Sequence, residues 1–193
     1  AIRLSLVGSE MCIRDSPTTW YFFLREDVKF SNGQPMTSED VVFSILRAKQ
    51  RTSDFKEYIS TISGVKAIDK YTVQIKTSKP NPILLNQLSN IFIMSKEWSA
   101  KNFALSPQNW DAGQETFSAT NSMGTGPFKI TLREPNTKTV FKKNSKWWGN
   151  VEHNLTEIHL LPIKNAATRV AALLSGELDV VTDAPVPVSY THL

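Results

Sequence analysis

The stretch Val28-Lys29-Phe30-Ser31-Asn32-Gly33-Gln34-Pro35-Met36-Thr37-Ser38-Glu39-Asp40-Val41-Val42-Phe43-Ser44 decides the fold class, because it changes from a strand period to a helix period within one short run. Val28 and Phe30 flank Lys29 in strand-like alternation, and Ser31-Asn32-Gly33 is a strong turn signal. Thr37 follows Pro35 and stands three residues before Asp40, the spacing of a capping box in which hydroxyl and carboxylate satisfy each other's backbone N–H. Val41, Val42, Ile45, Leu46 and Lys49 then recur at helical spacing, which predicts a helix from Ser38 to Lys49. Strand, turn and capped helix in this order mean a chain of the α/β class.

Upstream, Trp20-Tyr21-Phe22-Phe23-Leu24 is an aromatic run of high β-propensity and reads as a strand covered on both faces. Downstream, a polar short-helix stretch at Ser53 to Ile59 leads to paired strands, Gly64 to Ile68 and Tyr71 to Thr77, joined at Asp69-Lys70. Tyr71, Val73 and Ile75 alternate with Thr72, Gln74 and Lys76, which predicts one buried and one wet face. Pro80-Asn81-Pro82 opens a helix with Ile83, Leu84, Leu85 and Leu88 on its apolar side. Lys101 to Thr120 has no sustained period and reads as a long surface connection, so a boundary falls between Lys101 and Met123. Beyond it, Gly124-Thr125-Gly126-Pro127 turns into a strand, Phe128 to Leu132, and Glu134-Pro135-Asn136 turns into another, Lys138 to Lys142. Glu157 to Ile163, a helix from Ala166 to Leu174 capped by Asn165 and ended by Gly176, and Leu178 to Val181 predict a β-α-β unit.

The chain has 193 residues, 40% of them hydrophobic, a net charge of +4 and one Cys. That supports folded domains with real cores and excludes an internal disulfide framework or a cysteine-based zinc site. No apolar run is long enough to span a bilayer.

The two ends read as foreign. Met11-Cys12-Ile13-Arg14-Asp15-Ser16 back-translates to ATG TGT ATA AGA GAC AGN, and Pro187 to Leu193 to CCT GTC TCT TAT ACA CAT CTN. The two strings are reverse complements over their shared length, as a sequencing adapter translated in frame would be. Residues 1–16 and 188–193 are therefore expected to be adapter-derived, which removes Cys12 and His192 from the chemistry. A short native strand, Ile2 to Val7, is the competing reading.

The remaining chemistry is sparse. His153 and His159 sit near no Gly-flanked serine and no metal-ligand cluster, so neither a nucleophilic hydrolase nor a metal centre is supported. Glu39-Asp40 is explained by helix capping, and Glu177 with Asp179 by surface charge. Gly124-Thr125-Gly126-Pro127 lacks the Lys-Ser/Thr of a phosphate loop and enters a strand instead of a helix, so it is structural. Lys138, Lys142, Lys143 and Lys146, interleaved with Phe141, Trp147 and Trp148, fit a lysine-defended strand edge better than a nucleic-acid surface. The tryptophan pair suits a core or domain junction. No catalytic residue, cofactor or nucleic-acid partner is assigned.

Taken in order, these motifs resemble the family 5 solute-binding proteins of bacterial ABC importers, the peptide-, dipeptide- and nickel-binding type. The resemblance is carried by Trp20 to Arg25 with Val28 to Ser44, by Val65 to Val73, by Gly124 to Phe128, by Asn144-Ser145-Lys146-Trp147-Trp148-Gly149, and by Ala167 to Asp179. It implies a fragment of a periplasmic binding protein type II-like (cluster C) fold, with mixed sheets and flanking helices. Residues 17–120 then resemble the small extra domain of the peptide-binding class, and 121–187 part of ligand-binding lobe I. The implied role is capture of a small solute, an oligopeptide or dipeptide first among the candidates, and delivery to a membrane permease. A periplasmic or cell-surface location and a monomeric full-length protein follow. Phe55, in Ser53-Asp54-Phe55-Lys56-Glu57-Tyr58, aligns with an aromatic that oligopeptide binders place beside the ligand, and Tyr58 goes with it; the other reading is that both pack a short helix onto its own domain. A glycan-processing enzyme and a sensor ectodomain are the alternative functions.

Overall fold

A computed structural model describes residues 9–113 and 115–183. Four antiparallel strands, β1 (Ser9–Ser16), β2 (Thr19–Leu24), β3 (Ile62–Ala67) and β4 (Thr72–Thr77), form one sheet in the order β1-β2-β4-β3. Against it pack α1 (Ser38–Ala48), α2 (Leu84–Leu88) and the segment through Ile91 and Ile93. Phe22, Phe30, Met36, Val41, Ile45, Ile75 and Leu88 lie at the centre of this core, each nearly or fully excluded from solvent.

The helix follows the decisive stretch closely. The Thr37 N–H donates to Asp40 Oδ2 at 2.9 Å, closing the capping box. The apolar stripe is narrower than its spacing implied, since Val41, Ile45 and Ala48 are buried whereas Leu46 is exposed. Val28 to Phe30 is not a full strand: one isolated bridge, Lys29 to Pro35, closes the turn, with Gly33 in the left-handed region at φ +93°. Nor does β4 have a wet face. Thr72 and Gln74 are buried as well as Val73 and Ile75, because β4 is an inner strand and the Gln74 amide donates to the Tyr21 hydroxyl of β2. On β2, Trp20, Phe22 and Leu24 face the core and the other face is half-buried.

α3 (Lys96–Lys101) was not legible in the sequence; Ser95 caps it by accepting from the Trp98 N–H at 3.2 Å. The connection after it is irregular apart from a short 3-10 turn at Phe117–Ala119.

The second sheet is β5 (Phe128–Glu134), β6 (Lys138–Lys143) and β7 (Glu157–Leu160), antiparallel in that order, followed by α4 (Ala166–Leu174). Asn165 caps α4 by accepting from the Thr168 N–H, and Gly176 ends it at φ +80°. Leu178 to Val181 is not a strand. The N–H groups of Glu177 and Leu178 both turn back to the Ala172 carbonyl, and no described strand pairs with this segment, so the β-α-β unit does not form and both sheets are antiparallel among the described residues.

The Gly124-Thr125-Gly126-Pro127 turn knots the two parts together. The Ser31 N–H donates to the Gly124 carbonyl at 2.9 Å, the Trp148 indole N–H to that of Thr125 at 3.0 Å, and the Asn144 amide to that of Gly126 at 2.9 Å. Arg25 stacks 4.9 Å from the Trp148 ring centroid, so the tryptophan fills a junction, as the sequence implied. β1 covers part of the stretch read as adapter. Edge-strand pairing runs through backbone groups and accepts almost any sequence, which is how such a stretch can pair with β2. The competing strand at Ile2 to Val7, and residues 184–193, lie outside the described residues.

Candidate functional site

A cleft of about 410 Å³ opens where the C-terminal end of α1, the Thr52–Phe55 loop, the Phe92–Met94 segment and the connection from Pro107 to Gly124 converge. Phe55 stands on its rim, immediately before the 3-10 turn Lys56–Ile59, and its N–H donates to the hydroxyl of buried Ser53 at 3.2 Å. The Phe55 ring meets Phe92 edge-on at 6.5 Å and leans on Tyr58 at 6.4 Å, yet it stays 40% exposed. Phe55 thus packs against neighbouring aromatic rings and lines the cleft. Tyr58 touches Phe55 but is not among the cleft-lining residues.

Arg47, in the last turn of α1, is the best-held polar group of the cleft. Its Nε donates to the Ala104 carbonyl at 3.1 Å, and its Nη2 to the Ser106 carbonyl at 3.0 Å and the Ser118 hydroxyl at 3.2 Å. Burial pulls its guanidinium below the ordinary arginine range. Arg133 of β5 and the exposed indole of Trp110 complete the wall. No sequence signal marked Arg47, Trp110 or Arg133, because the loop that brings them together has no period.

Among the described residues the lining holds one carboxylate, Asp54, and no histidine. His153 stacks on Phe128 at 4.8 Å and His159 bonds Glu157 on β7, both on the second sheet. Asp40 is spent on the cap, while Glu177 and Asp179 are exposed beyond α4. Among the described residues, no three His, Cys, Asp or Glu side chains are placed to hold a metal ion.

Residues 6–191 match the sequence model of the bacterial extracellular solute-binding proteins, family 5 Middle. The chain belongs to this family. Among family 5 proteins, the periplasmic murein peptide-binding protein MppA of Escherichia coli is 25% identical over 185 residues, covering 86% of this chain and 33% of MppA. The nickel-binding periplasmic protein of Escherichia coli is 28% identical over 167 residues, covering 84% of this chain and 30% of that protein. The solved structure of Burkholderia pseudomallei OppA shares the fold, with a TM-score of 0.77 at 24% identity over 95% of this chain and 38% of that one. The chain spans about a third of the length of the curated relatives it matches. The expected fragment of a family 5 binding-protein fold is thus the fold these neighbours share.

Proposed function

We propose that this chain is part of the substrate-binding component of an ABC importer, which captures a peptide-like or other small solute outside the cytoplasmic membrane and delivers it to the permease. The carrying observation is the family 5 match across residues 6–191, supported by relatives named for binding murein peptide and nickel. The full-length protein acts by closing lobes around its solute, as a monomer and without covalent chemistry. A periplasmic or cell-surface location fits the periplasmic relatives, and among the described residues no helix is long and apolar enough to cross a membrane. Residues 17–120 form the small extra domain and 121–187 part of lobe I, joined at the Gly124 to Pro127 knot. Phe55 supplies an aromatic wall beside the solute, and Tyr58 props it from behind. Residues 1–16 and 188–193 are read as adapter translation although the family match reaches into both, and amplifying the gene from its host tests this directly.

The functional test is calorimetry on the full-length protein against pools of di- and tripeptides and against nickel with histidine. At least one pool binds, and Phe55→Ala weakens that binding about three- to tenfold, the worth of one partly exposed aromatic contact. Turnover of an oligosaccharide, lost on mutating one carboxylate, refutes the reading, and binding of neither pool refutes peptides and nickel–histidine as its solutes.

A further inference from the structure

We infer that Arg47 is a positioning residue, which pegs the connection 104–121 along one wall of the cleft and acts on a solute through that wall, not by contact. This rests on the transport reading and assigns the residue that sets the shape of its site.

Pro107, Gln108, Trp110, Thr116 and Ser118 of this connection line the cleft, so the shape of the cleft depends on where the connection lies. Its own backbone does little to hold it. The N–H groups of Gly113, Ala119 and Asn121 donate to carbonyls only three or four residues back, and its one helical turn among the described residues is Phe117–Ala119. A segment tied so locally keeps one conformation only against its chain entropy. Arg47 supplies the missing long-range ties. It projects from the last turn of α1, a helix anchored in the core by Val41 and Ile45, and its three hydrogen bonds reach both ends of the connection. They run to the Ala104 and Ser106 carbonyls at 3.1 and 3.0 Å and to the Ser118 hydroxyl at 3.2 Å. The Ser118 hydroxyl in turn lies 3.0 Å from that of Thr116, which carries the peg to a second lining residue. Only a guanidinium suits this task, because its rigid fork aims several charge-assisted donors at once, whereas a lysine ammonium is a compact point charge that cannot serve all three acceptors. A second fastening comes from outside the cleft: the Trp98 ring of α3 packs on Phe117 at 5.7 Å, and neither residue belongs to the lining.

The test is native-state hydrogen exchange and calorimetry on the full-length protein carrying Arg47→Lys, Phe117→Ala or both, with the di- and tripeptide pools and nickel with histidine as probes. In each single variant the Ala119 and Asn121 amides exchange at least about tenfold faster than in the parent, while the amides of β2 and β4 keep their rates. The pool that binds the parent binds each single variant about three- to tenfold more weakly. The double variant binds no more weakly than the worse single one, because both changes release the same segment. Unaltered exchange at Ala119 and Asn121 in Arg47→Lys overturns the inference. So does a Phe117→Ala protein that binds as tightly as the parent, or losses that multiply in the double variant, since Arg47 then meets the solute itself. If Arg47→Lys also speeds exchange in β2 and β4, Phe117→Ala decides alone on both readouts. If no pool binds the parent, peptides and nickel–histidine fall as solutes, and the exchange rates still decide the peg.

Discussion

Asp40 is the residue on which the starts of α1 and α3 hang, and removing its carboxylate gives a sharp test of the capping argument. Its Oδ2 accepts from the Thr37 N–H at 2.9 Å and the Thr37 hydroxyl at 3.1 Å, while Oδ1 accepts from the Lys96 N–H at 2.9 Å, the first residue of α3. One side chain thus ties together the starts of two helices far apart in sequence. Asp40→Ala removes the cap, worth about 1 kcal/mol. It also removes a negative charge at a helix N-terminus, worth about 0.5 kcal/mol. The Lys96 N–H loses its partner at a further cost of about 1 kcal/mol, the low end because Lys96 is itself exposed. The total is about 2–3 kcal/mol. Neighbouring Glu39 makes only an exposed ion pair with Lys96 at 2.8 Å, so Glu39→Gln costs less than about 0.5 kcal/mol. Native-state hydrogen exchange on the full-length protein reads the difference locally: amides at the starts of α1 and α3 exchange roughly 30- to 150-fold faster in Asp40→Ala. Exchange in Asp40→Ala no faster than in Glu39→Gln refutes the reasoning.

Gly149→Ala places a Cβ 2.7 Å from the Trp147 ring and destabilises by about 1–3 kcal/mol, whereas Gly64→Ala, with nothing within 4 Å, is near neutral; equal melting temperatures for the two variants contradict this. Asp27 titrates below the ordinary aspartate range because Arg25 donates two hydrogen bonds to it, at 3.0 and 2.7 Å. A depressed folded pKa means the contribution to stability is present above the unfolded value and is lost as pH falls through the folded one. Arg25→Met returns the carboxyl to its usual range, and an unchanged NMR titration in that variant refutes the pairing. The 193-residue chain expressed alone self-associates through Leu160, Leu161, Leu174 and Val180, which are exposed, and Leu160→Glu with Leu174→Glu reduces light scattering; a monodisperse parent rejects this.

What the sequence made legible is what short-range chemistry determines. The capping box at Thr37 and Asp40, the cap at Asn165, the left-handed Gly176 and the hairpins at Asp69-Lys70 and Pro135-Asn136 each carry their own local reason, and each formed. The failures share another cause, dependence on a distant partner. Leu178 to Val181 has strand composition, but a strand exists only beside another, and the Leu178 amide, with that of Glu177 before it, closes the C-terminus of α4 instead. Thr72 and Gln74 look solvent-facing by alternation, yet an inner position between β2 and β3 buries them.

The cleft obeys the same division. Phe55, which lines the cleft, could be singled out as a candidate because its resemblance is local, confined to a few consecutive residues. Arg47 escaped notice because its role is set by carbonyls at residues 104 and 106 and a hydroxyl at 118, delivered by a connection with no period of its own. A loop without periodic hydrophobic residues is free to follow the shape of a site, and its carbonyls can orient a cation without cancelling its charge. The most featureless part of the sequence, residues 101–120, is therefore the part that positions the cleft's strongest polar group.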